Sequence, residues 1–543
     1  MLSRVAAVKA PRTHNRRRVT GSSGRRREGG ESESQGPNMS RRVFTSAMLL
    51  LLLVVMMCCG TVGAVKAEVE PTILQEPVPK SPFVWRDTTG DETVSSLRVP
   101  SLVEVNGKVF AVAEAQCTKG ETTVFTGIAS QLLSMEKGNE PKEVLKEAKE
   151  KTQILEEVTS TEKKKVDVSR PTTVVDGSDI YMLVGKHSHD AADTCKTETE
   201  KIKLGMLLVK GQVGGEDGNK INWNDTDCVP CTLGAKDESL TGLVGGGGSG
   251  VKMHDGTLVF PVEATKNETD AEEGGKTVSL IIYSSDNTSW TLSKGMSADG
   301  CSDPSVVEWK GKLMMMTACE DGRRRVYESD NKGESWTEAL GTLSRVWGNK
   351  HKGNEKGFRS GFTTTTVGGD GEMRKAMLVT LPVYSENTER VSANEKGELH
   401  LWLTDSTHIV DIGSVSGDDD AAASSLLYKS GDNNEEKLIA LYKKKGGRAT
   451  PSLGLVSVLL TEQLQRVKDV LTTWKEVDER VSKLCPFSSA TVSKSTGTAC
   501  KNNKVTDGLV GFLSGKFSDN TWRDEYLGVN ATVKKGRCGG ENG

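Results

Sequence analysis

The chain has 543 residues, of which 35% are apolar and 5% aromatic, and it contains 58 glycines. This composition is too apolar for a disordered chain, and the many glycines favour a turn-rich β fold over a helical bundle. Residues 1–42 hold 11 Lys/Arg and 3 Asp/Glu of whole-chain totals of 71 and 74, which leaves 60 basic against 71 acidic groups. The remaining net charge of about −11 argues against nucleic-acid partners, which need a basic face.

The first predicted element is a secretory signal peptide, within a basic leader that spans residues 1–67. Arg41 and Arg42 precede the apolar run 47–57, and small residues follow it. This order is typical of a signal peptide, and the run is short for a membrane span, with a signal anchor as the alternative. Four sequons fit a glycosylated, exported protein; they begin at Asn224, Asn267, Asn287 and Asn530. We therefore expect the secretory pathway and a cell-surface or extracellular location.

Eleven cysteines are present, and two of them lie in the predicted signal peptide. The other nine are an odd number, so at least one is unpaired. Cys485 and Cys500 bracket a loop and could form a disulfide in an oxidising compartment. Cys228 and Cys231 have CxxC spacing, but no second pair accompanies them, so we expect neither a metal site nor a cofactor.

A repeated pattern follows the leader. A short β-prone run, a turn with glycine and a second apolar run recur six times, at intervals of roughly 55 to 80 residues. The first runs begin at Pro100, Pro171, Val251, Pro304, Thr363 and Ser424. Asn-Gly and Asp-Gly turns supply the positive φ angles of tight hairpins. The pattern predicts an all-β, six-bladed propeller over residues 68–458, with a pair of β-sandwiches as the alternative.

Two stretches interrupt the repeats. Residues 137–165 are dense in Lys and Glu, and we interpret them as a solvated insertion of helical tendency between blades. Residues 461–484 carry apolar side chains three and four apart after a Thr cap, which predicts an amphipathic helix. We assign residues 459–485 to a connecting helix and 486–543 to the start of a truncated C-terminal region. That last segment has no hydrophobic signal for a GPI anchor.

Two short motifs connect the repeats with a known family. Residues 329–336, from Ser329 to Trp336, match the Asp box of sialidases except that Asn331 replaces the usual Asp, and Ser284 to Trp290 form a shorter copy. We expect these boxes to form outer-hairpin turns with packed Trp side chains, without a catalytic role. Further phrases are close to those of trypanosomal trans-sialidases; they cover residues 300–304, 324–329, 341–348, 401–405 and 508–514. The chain resembles that superfamily from about Glu68 to about Lys535.

The resemblance implies a sialidase-like propeller, a long helix and then a lectin-like sandwich that this chain stops short of. It also implies a sialic-acid site. Three arginines would hold the sugar carboxylate, since forked guanidinium groups match that geometry. A Tyr with a neighbouring Glu would attack the anomeric carbon, and an Asp would act as acid and base.

Most of those positions are changed in this chain. Of the three arginines, Arg98 is kept, whereas the others fall at Ala318 and Glu398. The Glu beside the nucleophile matches Asp303, and the nucleophilic Tyr matches Ala423. A carboxylate expected before Pro171 is replaced by Arg170, and the acid/base Asp falls in a divergent region after Glu114 and is not placed. We therefore expect a vestigial site, with Arg98 and Asp303 as its remnants.

These changes favour a surface or secreted glycoprotein without catalysis, which binds host cell-surface glycans or matrix glycoproteins. The alternative is an active exo-α-sialidase or trans-sialidase, which would need a Tyr at position 423. An immune decoy, or a truncated product without a ligand, is the third possibility. The sequence leaves membrane association and the identity of the ligand open.

Overall fold

The computed structural model describes most of residues 83–483 and three short segments between 513 and 532. The gaps in the first range are residues 121–122, 135–139, 159–161, 186–205, 215–217, 229–239, 267–274, 340–342, 345–357, 370–371, 385–396, 431–435 and 446–453. The predicted leader and signal peptide, the predicted Cys485–Cys500 pair, Cys231 and the sequons at Asn267 and Asn530 lie outside the described residues.

The chain begins its described part with an antiparallel sheet, sheet 1. The first strands are β1 (Phe83–Asp87), β2 (Glu92–Val105), β3 (Lys108–Lys119), β4 (Thr123–Leu132), β5 (Lys142–Val144), β6 (Thr152–Val158) and β7 (Lys163–Lys165). Sheet 1 has the order β1-β6-β4-β3-β2, and β7 pairs with β6. A short 3-10 helix, Ala148–Lys151, lies between β5 and β6.

The interpretation of residues 137–165 as a solvated, helix-prone insertion is wrong for the part that the structure describes. Three strands and a 3-10 turn form there, and Ile154 and Leu155 are fully buried. The charges that suggested a helix lie on the sheet surface, where Arg86 binds Glu156 and Lys165 binds Glu92. Burial of the apolar residues within the sheet therefore outweighs the helical propensity of the flanking Lys and Glu.

The next two sheets follow in chain order. Their strands are β8 (Thr172–Asp176), β9 (Asp179–Val184), β10 (Leu207–Gly214), β11 (Lys220–Cys228), β12 (Leu240–Gly245), β13 (Gly248–Ser249), β14 (Val251–Lys252), β15 (Leu258–Lys266), β16 (Lys276–Ser284) and β17 (Thr291–Leu292). Sheet 2 has the order β11-β10-β9-β8-β13, with β13 parallel to β8. Sheet 3 has the order β12-β15-β16-β17, and β14 also pairs with β15.

Three four-stranded sheets come next. Their strands are β18 (Cys301–Trp309), β19 (Lys312–Cys319), β20 (Arg324–Ser329), β21 (Thr337–Glu338), β22 (Phe362–Gly369), β23 (Glu372–Tyr384), β24 (Gly397–Thr404), β25 (Ile409–Ser414), β26 (Ala421–Ser430), β27 (Glu436–Lys444) and β28 (Leu455–Leu459). Sheet 4 comprises β18 to β21 and sheet 5 comprises β22 to β25, both in chain order. Sheet 6 has the order β26-β27-β28-β5, so its last strand comes from the chain segment that follows β4.

All six predicted hairpins are confirmed by strand pairing. They are β2–β3, β8–β9, β14–β15, β18–β19, β22–β23 and β26–β27. At the first turn Asn106 and Gly107 have φ angles of 51° and 75°, as a tight hairpin requires. The Asn-Gly and Asp-Gly signals are reliable here because glycine adopts a positive φ without steric cost, as Gly177 and Gly256 also do at later turns.

The hydrophobic core lies between successive sheets. Val103 and Ile180 belong to a cluster that joins sheets 1 and 2. Comparable clusters join sheets 2 and 3, 3 and 4, 4 and 5, and 5 and 6. Another cluster joins sheet 6 to sheet 1 through Leu441 and Ala111. Each described sheet from 1 to 6 is therefore packed against two others.

Short hydroxyl residues connect the first strands of different sheets. Ser101 on β2 lies 2.8 Å from the Thr173 hydroxyl and 3.2 Å from the Ser249 hydroxyl. The backbone N–H of Leu102 donates to Ser425 on β26. Serine and threonine permit this close approach because their side chains are small and satisfy neighbouring polar groups. These contacts bring the beginnings of several sheets to one region of the fold.

The predicted helix is confirmed as α1 (Thr461–Lys483). Leu464, Val467, Leu471 and Trp474 are buried, and they pack on the core between sheets 5 and 6. Trp474 also stacks on His408, with ring centroids 4.8 Å apart. Among the described residues, no helix is both long and apolar enough to span a membrane. Farther along, β29 (Leu513–Ser518), β30 (Thr521–Asp524) and β31 (Ala531–Thr532) form a small antiparallel sheet.

The two Asp-box motifs form the turns before β21 and β17, as predicted. In the first, Asn331 takes the place of the usual Asp: its Oδ1 accepts from the Ser329 hydroxyl and the Ser335 N–H, while the Ser329 hydroxyl also accepts from Gly333 N–H. In the second, Asp286 accepts the N–H groups of the two residues that follow Asn287, and these bonds lower the pKa of Asp286. Both boxes are therefore structural turns whose polar side chains satisfy the loop backbone.

Candidate functional site

The site begins at three backbone positions of similar conformation, two within β2 and β18 and one just before β8. Val99, Arg170 and Asp303 each precede a proline, and each has a φ of 51°. Positive φ is uncommon outside glycine and often marks functional sites. The ladders of β2 and β18 are irregular at these points, between Arg98 and Ser101 and between Ser302 and Ser305. The bulges turn the residues at these two points away from the regular pleat.

Two of the predicted positions come together around a carboxylate that the sequence analysis did not identify. The Arg170 guanidinium donates to Glu263 at 2.5 Å and lies 3.6 Å from the Asp303 carboxylate. The same Glu263 oxygen accepts the backbone N–H of Asp303 at 2.7 Å. We call Arg170, Glu263 and Asp303 the ion-pair cluster. Arg170 also donates to the carbonyls of Gly245 and Gly246, so its Nε and Nη2 donors are engaged with the protein itself.

Burial affects the charge of this cluster. Glu263 is only 8% exposed, and burial raises its pKa while the Arg170 charge opposes the rise. The nearby Asp303 charge adds to the rise. A buried carboxylate of this kind depends on its cationic partner, because an unpaired charge in the interior is costly.

A second arginine lies beneath the cluster. Arg359 is 6% exposed and donates to the backbone carbonyls of Gly246, Pro304 and Ser249 at 2.7–3.1 Å. Burial lowers its pKa to about 10, so it stays protonated at neutral pH. Arg359 therefore holds Pro304, which follows Asp303, and the Gly246 carbonyl, to which Arg170 also donates.

The glycine-rich segment, Gly245–Gly248, makes this packing possible. A Cβ at Gly247 would lie 2.3 Å from Val99, and one at Gly248 would lie 2.3 Å from the Arg359 Nε. Both residues have positive φ, at 79° and 66°. Only glycine fits such a backbone at such close range. The segment consequently contacts the beginnings of sheets 1 and 5 at the same place.

Arg98, the retained clamp arginine, lies beside this region and is exposed. Within the described part of the chain it has no ion pair and no side-chain hydrogen bond. Its partner in the ladder is Glu114, a buried carboxylate that accepts the backbone N–H of Arg170 at 2.7 Å. Burial, and then the positive charge of Arg98, lower the pKa of Lys443 on β27. Two cations are therefore neighbours on this side of the site.

The two alanines occupy the positions that the resemblance assigns to an arginine and to the nucleophile. Ala318 is 3% exposed and pairs with Ser302, whose hydroxyl contacts Asp303 at 3.2 Å. Ala423 lies in β26, where the ladder is irregular between Ala421 and Ser424. The N–H of Ser424 donates to the Arg359 carbonyl, which places Ala423 next to the site backbone. Neither methyl group can donate, accept or attack.

The structure does not bring Glu398 into the ion-pair cluster. Its carboxylate lies 3.7 Å from the His400 ring, on β24. His400 Nδ1 lies 2.9 Å from Asp411. Burial opposes protonation of His400, but the two carboxylates outweigh it and raise its pKa. Glu398 thus belongs to a histidine–carboxylate group on sheet 5.

Three of the described tyrosines have hydroxyl groups that are bonded within the protein. The hydroxyl of Tyr327 accepts from Ala298 N–H, and those of Tyr428 and Tyr442 donate to Thr366 and Asp419. Burial raises the pKa of all three, that of Tyr428 to about 12. A raised pKa makes the nucleophilic phenolate harder to form.

Sequence reasoning missed Glu263 and Arg359. Glu263 follows the predicted strand Leu258–Val–Phe260, and a charged residue so soon after it was the available signal. Arg359 lies before the β-prone run of threonines and offered no such pattern. The described residues contain no group of three or more His, Cys, Asp or Glu placed to hold a metal ion.

Comparisons with known proteins agree with this architecture. The sequence matches the family described as BNR repeat-like domain over residues 99–443 and the Trans-sialidase, C-terminal domain over residues 505–543. It is 34% identical over 387 residues to Sialidase 85-1.1 of Trypanosoma cruzi, covering 68% of this chain and 45% of that protein. A second Trypanosoma cruzi sialidase is 33% identical over 319 residues, covering 56% of this chain and 25% of its own length.

Among solved structures, the fold is similar to the Trypanosoma rangeli sialidase in complex with sialic acid. The TM-score is 0.58 at 31% identity, over 81% of this chain and 65% of that one. The chain spans less than half the length of the curated trypanosomal relatives it matches. The repeats, the C-terminal match and the shared β-propeller fold agree with one another. The chain therefore belongs to the trans-sialidase and sialidase superfamily.

Proposed function

We propose that this chain is a non-catalytic member of the superfamily that binds glycans at the candidate site. The observation that carries the proposal is the pair of changes at Ala423 and Arg170. The first removes the side chain that would attack the sugar. The second places a guanidinium on Glu263 and Asp303, so that the remaining carboxylates are occupied by the protein.

The scaffold in this proposal is a six-bladed propeller, with sheets 1 to 6 as its blades. Its support is the chain of core clusters, in which each sheet packs against the next and sheet 6 packs against sheet 1. Strand β5 completes sheet 6 from an earlier part of the chain, which closes such a ring. The ion-pair cluster lies where sheets 2, 3 and 4 meet.

The charges favour an anionic or hydroxyl-rich ligand. Arg98 is exposed, and no described residue neutralises it. A guanidinium in that state can still bind a carboxylate or sulfate through paired hydrogen bonds. By contrast, the former clamp positions supply only the methyl of Ala318 and the carboxylate of Glu398. We therefore expect weaker binding of an acidic sugar than three arginines would give.

An active exo-α-sialidase remains the competing function, since Arg98 is kept, position 303 still carries a carboxylate and the relatives are sialidases. Incubating the purified chain with a fluorogenic sialoside separates the two. We expect no turnover above the buffer rate from the unmodified chain and none from Ala423→Tyr alone, because Arg170 still occupies the carboxylates. Product released by the unmodified chain would establish the enzyme.

Binding is tested on an array of sialylated, sulfated and neutral glycans. We expect selective binding that Arg98→Ala weakens at least about tenfold, the value of one charge-assisted hydrogen bond pair. Arg466→Ala is the matched control, since Arg466 is a partly exposed arginine on α1, which contributes no residue to the site. Absence of binding to every glycan, or equal loss in both variants, would contradict the proposal.

The proposed setting is the secretory pathway and the cell surface, with host cell-surface glycans or matrix glycoproteins as partners. Asn224, which begins a sequon, is exposed at β11, and a glycan could attach there. Expression in a secreting eukaryotic cell followed by treatment with an N-glycosidase tests this. We expect secretion and a mass decrease after treatment, whereas an intracellular, unmodified product would contradict it.

A further inference from the structure

A disulfide lies directly beside the candidate site. It joins Cys301 on β18 to Cys319 on β19, two residues that face each other in the ladder. Both are buried, with exposures of 0% and 5%. The next pair in the ladder is Ser302 with Ala318, and Asp303 follows immediately. The disulfide is therefore separated from the ion-pair cluster by a single ladder pair.

The bulge at Asp303 divides this hairpin into two unequal parts. On the turn side, five consecutive pairs run from Ser305–Met316 to Trp309–Lys312. On the site side, only two pairs remain, and one of them is the disulfide. Pro304 has no N–H to donate, and Asp303 directs its own N–H to Glu263 instead of to β19. The ladder hydrogen bonds on the turn side thus give little support to the site side.

Other contacts hold the backbone around the disulfide. The N–H of Gly300 donates to Thr277, and the N–H of Glu320 donates to Gly300, both at 2.8 Å. The Cys301 carbonyl accepts the Ser279 hydroxyl at 3.0 Å. The bonds from Gly300 to Thr277 and from Ser279 to Cys301 connect β18 to sheet 3, and the bond from Glu320 to Gly300 joins the two sides of the hairpin, all without the sulfur atoms. The fold of sheet 4 consequently does not depend on the disulfide alone.

We propose that the Cys301–Cys319 disulfide positions Asp303 against Glu263 and Arg170. With the sulfurs joined, the two strands are fixed one pair away from the bulge, so the Asp303 N–H remains on the Glu263 carboxylate. With the bond cut, the two strands beside Asp303 are held together only by backbone hydrogen bonds, those of the two remaining ladder pairs and of the Glu320 N–H with Gly300. This inference goes beyond the proposed function, because it concerns the geometry of the cluster whatever ligand binds there.

The positioning is reversible by thiol chemistry. A dithiol reductant gives two electrons and two protons to the S–S bond, which yields two cysteine thiols and the cyclic disulfide of the reductant. The bond is buried, so reduction requires local opening of the strand end. Reduction should therefore loosen the cluster before it unfolds sheet 4.

The first test is the state of the cysteines. Proteolysis without reduction, followed by mass spectrometry, should recover the segments that contain Cys301 and Cys319 as one linked peptide from protein secreted by a eukaryotic cell. Recovery of the two segments with free thiols would overturn the proposal. Cys117 is an internal reference, because it is buried and unpaired and should be alkylated only after denaturation.

The second test is amide hydrogen exchange in the full chain, comparing the parent with the double variant Cys301→Ala/Cys319→Ala. We expect the Ser302 and Asp303 amides to exchange roughly tenfold faster or more in the variant, with 305–309 unchanged. Cys117→Ala, in β3, is the matched control and should leave the Asp303 amide as it is. Equal acceleration along the whole hairpin would indicate a purely structural bond, and no acceleration would also overturn the proposal.

The two proposals fail in different ways. If the chain binds no glycan, the exchange result is unaffected, since it needs no ligand. If glycans bind, 3′-sialyllactose titrated into the parent and the double variant gives a second readout. We expect the double variant to bind at least about tenfold more weakly than the parent. The Cys117→Ala control should keep the thermal stability of the parent. Equal affinity together with unchanged exchange would contradict the positioning role.

Discussion

Replacing Arg359 with methionine removes a charge but retains most of the volume of the side chain. The guanidinium donates to three backbone carbonyls, those of Gly246, Ser249 and Pro304, and all three acceptors lie next to the candidate site. Methionine cannot donate to any of them. The substitution also removes a positive charge near Asp303 and Glu263, both of which favour the protonated state of Arg359.

The magnitude follows from these contacts. A hydrogen bond from a charged donor contributes about 1.5–3 kcal/mol, but bonds to one group are not additive. Removing one partner of a buried ionic group costs about 3–5 kcal/mol, which we take as the expected loss. Unfolding entropy of ~2.1 cal/mol/K per residue gives ~0.8 kcal/mol/K for a unit of about 400 residues. The expected decrease in Tm is therefore about 4–6 °C.

Differential scanning calorimetry at neutral pH measures this decrease. Arg359→Lys keeps the charge but not the fork of donors, so it should lose about half as much. Arg323→Met is the matched control, because Arg323 is exposed on its loop, and its effect should stay within about 0.5 kcal/mol. A substitution at the surface would change the Tm by roughly 1 °C or less. If Arg359→Met melts that close to the parent, the role assigned to Arg359 is refuted.

Three further predictions concern single side chains. Glu92 is buried, and its bonds to Arg86 lower its pKa, so it stabilises the fold above pH ~4.3 and this stability is lost as the pH falls. Glu92→Gln should therefore flatten the profile of Tm against pH between about pH 6 and about pH 3. His400 has a raised pKa beside Asp411, so it stabilises the fold below pH ~6.5, and this stabilisation decreases as the pH rises. His400→Gln should remove this dependence, which thermal melts on either side of that pH would show. Gly248→Ala places a methyl 2.3 Å from a buried guanidinium nitrogen at a φ of 66° and should cost at least about 2 kcal/mol by urea denaturation. A flat parent profile, or a neutral glycine variant, would contradict the corresponding prediction.

The parts of the fold that the sequence predicts well are those with local causes. The hairpin turns depend on residue pairs such as Asn106–Gly107, whose backbone freedom is a property of the residues themselves. The helix α1 depends on the spacing of Leu464, Val467, Leu471 and Trp474, which is visible without any tertiary contact. The Asp boxes are likewise local hydrogen-bonded turns.

Other features depend on distant contacts and could not be predicted. Residues 142–158 are rich in charge, yet Ile154 and Leu155 are buried because β1 and β4 flank β6. Likewise, Glu263 becomes a site residue only because the fold brings Arg170 and Asp303 to it from sheets 2 and 4. The Cys301–Cys319 pairing follows from strand register, which the spacing of cysteines does not reveal.

The candidate site was predicted in part. The resemblance supplied the positions, and the structure brings Arg170, Asp303 and Ala318 close together while leaving Glu398 with His400. What it could not supply is the internal ion pair of Arg170. That pair depends on a carboxylate, Glu263, which no pattern in the sequence connects with Arg170.

The central claim is that the chain has no nucleophile for a sialic acid. One related structure is described as the covalent intermediate of a Trypanosoma rangeli sialidase with 2,3-difluorosialic acid. Intact-mass spectrometry of this chain after incubation with the same reagent tests the claim directly. We expect an unchanged mass, because Ala423 offers no hydroxyl. A mass increase of one 3-fluorosialyl group, formed with loss of the fluoride at C2 and mapped to any residue near Asp303, would contradict the account.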